Sequence, residues 1–247
     1  MIKEILDQTK DRVVVVTGAN RGIGLAIVEK FIGKGWWVCA CVRNKSKSLD
    51  SLIEGRGKIY SIDFSSERQV TDCAKNIIRD TDKIDALVNC GGVAFGGLFS
   101  MTRMTDLKDV FQVNFFSQIL FSQLISKKMM RKKQGSIVNL SSTSGILADS
   151  GTLAYGCSKA AFSHATRIMA TELGVFNIRV NAIAPARVDT DMGRLMDENS
   201  SKVLNSRSSI SGEISSDDVA DLAYYLCSDG TRYISGQVIR VDRGMPF

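Results

Sequence analysis

One histidine stands in the 247-residue chain, prolines number two, and no apolar run approaches the ~18 residues that a membrane-spanning helix needs. The lone His164 and six cysteines, at 39, 41, 73, 90, 157 and 227, show no paired metal-ligand spacing, which argues against a zinc site or any other metal. Free buried thiols are the expectation instead. Met1 to Lys10 is too short and too charged for a signal peptide, so a cytoplasmic protein without a membrane partner is expected. No Pro-rich or Ser/Gly-rich stretch divides residues 1–247, which are read as one domain.

Acidic residues are in deficit, leaving a formal charge of +6, and Lys127, Lys128, Arg131, Lys132 and Lys133 concentrate part of it. These cations close a helix predicted from about Asp109 to Met130, where they meet the negative end of the helix dipole. A solvated helix end accounts for them most simply. Docking of an acidic partner comes next, and nucleic acid last.

What is present is a repeating alternation of strand and helix signals. Candidate strands centre near Val13, Val38, Ile59, Leu87, Ile137, Val180 and Val238. Right-handed crossovers between them yield an α/β fold with a Rossmann-type, doubly wound, seven-stranded parallel sheet and helices on both faces. Its ligand crevice lies at the carboxyl ends of the strands. Hydrophobic residues make up 44%, enough for the large core this requires.

The first strand signal, Val13-Val14-Val15-Val16, runs into Thr17-Gly18-Ala19-Asn20-Arg21-Gly22-Ile23-Gly24 and then an amphipathic stretch, Leu25 to Ile32. A strand, a glycine turn and a helix start in that order let backbone N–H groups approach a pyrophosphate. Further on, the Ala-rich segment from Leu153 to Leu173 reads as a helix that carries Tyr155 and Lys159 four residues apart, on one face. A cation there is expected to lower the phenol's pKa from about 10, fitting it for proton transfer to a substrate oxygen. His164, five residues beyond Lys159, points elsewhere and is read as a packing or surface residue.

The Gly-x-x-x-Gly-x-Gly turn, followed by Ser142, Tyr155 and Lys159, resembles the short-chain dehydrogenase/reductase family from about Asp11 onward. Leu87-Val88-Asn89-Cys90-Gly91-Gly92 resembles the segment after its fourth strand, with the two central residues changed. Val180 to Ala186 resembles the sixth strand and its Pro-Gly turn, with Ala186 where glycine is usual, and Ser235 to Gly244 resembles the last strand and tail, with Arg243 in place of a glycine. The resemblance implies Asn114, Ser142, Tyr155 and Lys159 as the catalytic set, with Ser141 and Ser144 as rivals to Ser142. It further implies that Gly18, Asn20, Arg21, Gly22, Ile23, Gly24, Arg43, Asp63, Phe64, Asn89, Gly91, Tyr155, Lys159, Pro185, Val188 and Thr190 bind the dinucleotide.

After the second strand, Val38 to Val42, come Arg43, Lys45 and Lys47, with no acidic residue before Asp50. A carboxylate there would bind the ribose 2′-hydroxyl of NAD; these cations favour NADP(H), with Arg43 and Arg21 as its readers. Ile183-Ala184-Pro185, Asp189-Thr190-Asp191-Met192 and Ile234-Ser235-Gly236-Gln237 look most like 3-oxoacyl-[acyl-carrier-protein] reductases, which implies a carbonyl substrate carried as an acyl thioester and a homotetramer or homodimer. Those reductases place basic residues beside the entrance; Lys133 keeps one, and Phe176 occupies the place of the other. Residues 190–212 are read as the substrate lid. A reductase of a sugar, polyol or specialised ketone, and a nucleotide-sensing protein without chemistry, are the alternatives.

Overall fold

A computed structural model describes residues 12–194 and 206–246; the middle of the expected lid, 195–205, lies outside the described residues. The four-valine run becomes strand β1 (Val13–Thr17), buried throughout, and leads through the glycine turn into helix α1 (Gly22–Gly33). β2 (Trp37–Val42), α2 (Lys47–Ile53), β3 (Gly57–Ser61), α3 (Glu67–Asp80) and β4 (Ala86–Asn89) follow in alternation. Ser46 and Ser66 accept a backbone N–H at the starts of α2 and α3, satisfying a donor the helix cannot.

Next come α4 (Met104–Phe111), α5 (Ser117–Lys132), β5 (Gly135–Leu140), α6 (Leu153–Gly174), β6 (Ile178–Pro185), the short α7 (Asp191–Arg194), α8 (Ser216–Cys227) and β7 (Val238–Val241). The helix expected from Asp109 to Met130 therefore starts earlier, and a π-helical turn at Gln112–Phe116 interrupts it. Asn114 sits buried in that turn, where its side chain bonds to a neighbouring loop. A single irregular turn of this kind is too short for apolar periodicity to reveal.

All seven strands pair in parallel, in the order β3-β2-β1-β4-β5-β6-β7. Alternation along β1 sends Val14 and Val16 into the layer shared with α1 and α8, and Val13 and Val15 into the layer shared with α3 and α5. Fully buried anchors such as Phe31 and Phe121 contribute about 1.5–3 kcal/mol each relative to exposure. The order of strands reverses between β1 and β4, which opens a crevice at their carboxyl ends.

The cation run is not uniformly solvated. Lys127, Arg131, Lys132 and Lys133 are exposed, but half-buried Lys128 donates to the carbonyls of Ile78 and Thr81 at the end of α3. It neutralises a helix terminus. The six cysteines are free; Cys39, Cys41, Cys73 and Cys227 are buried, whereas Cys90 is half-buried and Cys157 exposed. His164 is exposed. Among the described residues no helix is long and apolar enough to cross a membrane, and no group of three metal-ligating side chains assembles.

Candidate active site

At the crevice, backbones approach so closely that side chains would not fit. Gly18 has φ +67°, and a Cβ there would stand 2.9 Å from Gly91 Cα; one on Gly24 would stand 2.1 Å from Gly18 O. Thr17 Oγ1 accepts from the N–H groups of Cys90 (3.0 Å) and Gly91 (2.9 Å), tying β1 to the loop after β4 across the reversal. Ala19 N donates to Cys41 O, which sets the turn against the end of β2. No side chain caps the start of α1, and the half-buried Asn20 carries a buried Oδ1 without a partner. A bare cradle with free helix N–H groups fits a pyrophosphate. Ile23 packs against the core and sets the direction of α1.

The other dinucleotide candidates divide by how their side chains are used. Exposed Arg43 follows β2 directly. Asp63 accepts from Ser65 N (2.9 Å) and Ser65 Oγ (2.8 Å); these bonds, with the Arg43 charge as a smaller contribution, hold its carboxyl below the usual range. Phe64 is buried against Phe121, and its carbonyl accepts from Ser117. Gly91 O accepts from Gln118 Nε2 at 2.9 Å. Asn89 is 1% exposed, and its amide donates to Ser122 Oγ and Asn139 Oδ1, each at 2.8 Å. Asn89 is thus a bolt between β4, β5 and α5, and the sequence alone does not reveal this use. Pro185 ends β6, buried Val188 bridges to Ile214, and Thr190 Oγ1 accepts from Gly193 N.

The four expected catalytic groups come together beneath this cradle. Ser142 opens the loop after β5, its Oγ accepting from Ser144 N (3.1 Å) and lying near enough to the Tyr155 phenol to influence its pKa. Ser141 faces the other way, donating to Lys159 O (3.0 Å) and paired with Ser163 Oγ at 2.6 Å. Of the three rival serines, Ser142 is the one that acts on the phenol's pKa. Lys159, 5% exposed, donates to Leu140 O at 2.8 Å. Asn114 grips the Val93 backbone, accepting from its N–H (2.8 Å) and donating to its carbonyl (2.9 Å). A Cβ on Gly92 would lie 3.2 Å from Asn114 Oδ1 and 3.5 Å from Lys159 Nζ, so the bare glycine leaves room between those two groups.

The electrostatics correct one expectation. Burial raises the Tyr155 pKa above its ordinary value, and Ser142 opposes that rise. Lys159, its Nζ 5.7 Å from the ring centroid and donating to Leu140 O, does not outweigh that burial. Burial also lowers the Lys159 pKa to about 8.

Two glycines that pattern reading passes over position this set. A Cβ on Gly145 would meet Ala160 N at 2.7 Å, and one on Gly156 would meet Ser144 O at 2.6 Å. The Ser142 loop and α6 therefore touch backbone to backbone. Arginines organise the outer rim instead. Arg207 Nη1 bonds Asp149 Oδ1 at 2.9 Å, Arg187 lies 3.8 Å from Glu213, and Arg243 donates to the carbonyls of Ile210 and Gly212. Arg243 holds φ +58°, the left-handed backbone that explains why glycine suits the position. Its departure from glycine is the one sequence signal for this anchoring.

A glycine cradle at the strand reversal, with a phenol, an ammonium and a hydroxyl below it, defines a dinucleotide-dependent oxidoreductase. The family model described as enoyl-(acyl carrier protein) reductase matches residues 18–246. The chain is 32% identical over 240 residues to the 3-oxoacyl-[acyl-carrier-protein] reductase FabG of Thermotoga maritima, covering 95% of this chain and 97% of that one. It is 25% identical over 236 residues to FabG of Escherichia coli, with the same coverage. Among solved structures, a short-chain type dehydrogenase/reductase from Mycobacterium ulcerans superposes with a TM-score of 0.89 at 25% identity, over 96% of this chain and 90% of that one. ElxO with NADP bound gives 0.86 at 26% identity, over 95% and 98%. The protein belongs to the short-chain dehydrogenase/reductase family, whose members use a nicotinamide cofactor.

Proposed function

We propose that the protein is an NADPH-dependent reductase that converts a 3-oxoacyl thioester to the corresponding secondary alcohol. The observation that carries the reaction class is the gathering of Tyr155 and buried Lys159, whose Nζ stands 5.7 Å from the ring, with buried Ser142 on the loop packed against the same helix. Arg43 at the end of β2, with no carboxylate before Asp50, supports NADP(H). The FabG relatives support the thioester.

Gly18, Asn20, Arg21, Gly22, Ile23 and Gly24 would hold the pyrophosphate end, Arg43 and Asp63 with Phe64 and Gly91 the adenosine end, and Tyr155, Lys159, Pro185, Val188 and Thr190 the nicotinamide end. When bound, the reduced nicotinamide supplies a hydride to the carbonyl carbon. Tyr155 gives its proton to the carbonyl oxygen, and Ser142 donates a hydrogen bond as negative charge develops there. A raised phenol pKa suits this direction, because it keeps the proton on Tyr155 until the oxygen becomes basic. Lys159 replaces that proton, and the space that Gly92 leaves between Lys159 and Asn114 lets a water positioned by Asn114 recharge the ammonium. We place the enzyme in the cytoplasm as a homotetramer or homodimer, with residues 190–212 as its lid.

A second reading, a reductase of a sugar, polyol or specialised ketone, is favoured by one observation. Phe176 is half-buried against the core where a carrier-protein reductase would expose a cation. Following NADPH absorbance, with NADH in parallel, on addition of an acetoacetyl thioester separates the two. Oxidation of NADPH with little of NADH is the expected result. Silence with a cofactor that binds moves the assignment to the second reading.

A further inference from the structure

Two arginines flank the adenosine side of the cradle, and they are engaged differently. The Ala19–Cys41 hydrogen bond holds the glycine turn against the end of β2, so Arg21 and Arg43 each follow that contact by two residues. Of the two, Arg21 has a carboxylate within ion-pair distance. Its Nη1 lies 3.7 Å from Asp191 Oδ2, at the start of α7, which reaches back over the turn from the far side of the sheet.

The approach of that segment is fixed by more than the ion pair. Val188 bridges to Ile214, Asp189 N donates to Ile214 O, and Arg187 Nε donates to Gly193 O. Its tip then rests on the turn itself: a Cβ on Gly22 would stand 3.1 Å from Thr190 Cγ2. Asp191 is therefore delivered to Arg21 by the backbone. The pair is loose and solvent-facing, with 69% and 67% of the two side chains exposed, so exchanging the carboxylate for another anion costs little.

We propose that Asp191 is a specificity-determining residue for the cofactor, competing with the adenosine 2′-phosphate for the Arg21 guanidinium. NADP(H) must draw Arg21 from Asp191 to gain its second phosphate ligand, whereas NAD(H), lacking that phosphate, leaves the pair in place. Asp191 thereby weakens NADP(H) selectively. This inference rests on the NADP(H) reading above.

The test is direct binding without substrate: fluorescence titration of NADPH and of NADH against the wild type, Asp191→Asn, Arg21→Gln and the double variant, with thermal melts to confirm folding. Asp191→Asn is expected to tighten NADPH about two- to fivefold, the range of one exposed ion pair, and to leave the NADH Kd within about twofold. The gain disappears in the Arg21→Gln background and shrinks with added salt. Weaker NADPH binding in Asp191→Asn would overturn the proposal, because Asp191 would then be positioning Arg21 and not competing for it. Equal tightening of both cofactors, or a gain that survives in Arg21→Gln, would overturn it too. Failure of the underlying reading looks different: the wild type itself would bind NADH as tightly as NADPH, and Arg43→Ala would change neither.

Discussion

The inner and outer halves of this site are built from different materials. Inside, glycines let backbones touch: Gly18 meets Gly91, Gly24 meets Gly18, and Gly145 and Gly156 press the Ser142 loop onto α6. Outside, arginines reach across open surface to Asp191, Glu213 and Asp149 and to the carbonyls of Ile210 and Gly212. Backbone contacts leave no freedom, so the reacting groups hold one geometry, as preorganised catalysis requires. Exposed ion pairs are individually weak and exchangeable, which suits a rim that must admit and release molecules.

The sharpest test of the inner half is Tyr155→Phe. Loss of the proton donor should lower kcat by about 10²- to 10⁴-fold while cofactor binding, read by fluorescence titration, persists. Turnover unchanged by this substitution would remove the assigned chemistry. Ser142→Ala should fall on the same side, whereas Ser141→Ala should keep its rate and lose about 1 kcal/mol of stability, since Ser141 only joins the β5 loop to α6.

Gly24→Ala probes the backbone contacts themselves. A methyl 2.1 Å from Gly18 O forces the turn apart, so dinucleotide binding should be lost and stability should drop by about 1–3 kcal/mol in urea unfolding. Retained binding would mean that the cradle is softer than its contacts imply.

A pH experiment sharpens the contrast. Lys159 has its pKa lowered to about 8 inside the fold but not in the unfolded chain, where the ordinary value is ~10.4. Between these values the unfolded state binds the extra proton, so the Lys159 contribution to stability should rise with pH from about 8 to about 10, against the opposite contribution of the buried Cys39, Cys41, Cys90 and Cys227 thiols, whose pKa values burial raises. Below pH 8 the buried charge costs on the order of 3 kcal/mol. Lys159→Met should remove that contribution while abolishing turnover, so the difference between its thermal melts and those of the wild type should change across the window. A difference between the wild type and Lys159→Met that stays constant over the window would show the ammonium to be compensated.

The smallest effect belongs to the rim. Arg207→Ala removes a half-exposed pair with Asp149 and should cost under about 1 kcal/mol of stability, with any kinetic change appearing in KM. Unfolding of this variant would break the division between halves.

Much of the inner half was legible before any coordinates. The four-valine run and the glycine turn announce a strand, a cradle and a helix because each obeys a local rule of burial or φ. Tyr155 and Lys159 share a face because an α-helix turns in 3.6 residues. The π-turn at Asn114 was not legible, nor was the bolt formed by Asn89, Ser122 and Asn139, because both depend on partners distant in the chain.

The sequence by itself determined the sheet, the turn and the reacting groups, since these follow from periodicity and backbone conformation over a few residues. Tertiary structure alone decided that Ser141 turns to Ser163, that Lys159 donates to Leu140 O, and that Arg21 turns to Asp191. Those choices join segments far apart in the chain. They are set by which hydrogen bonds and charges remain unsatisfied once the layers have packed.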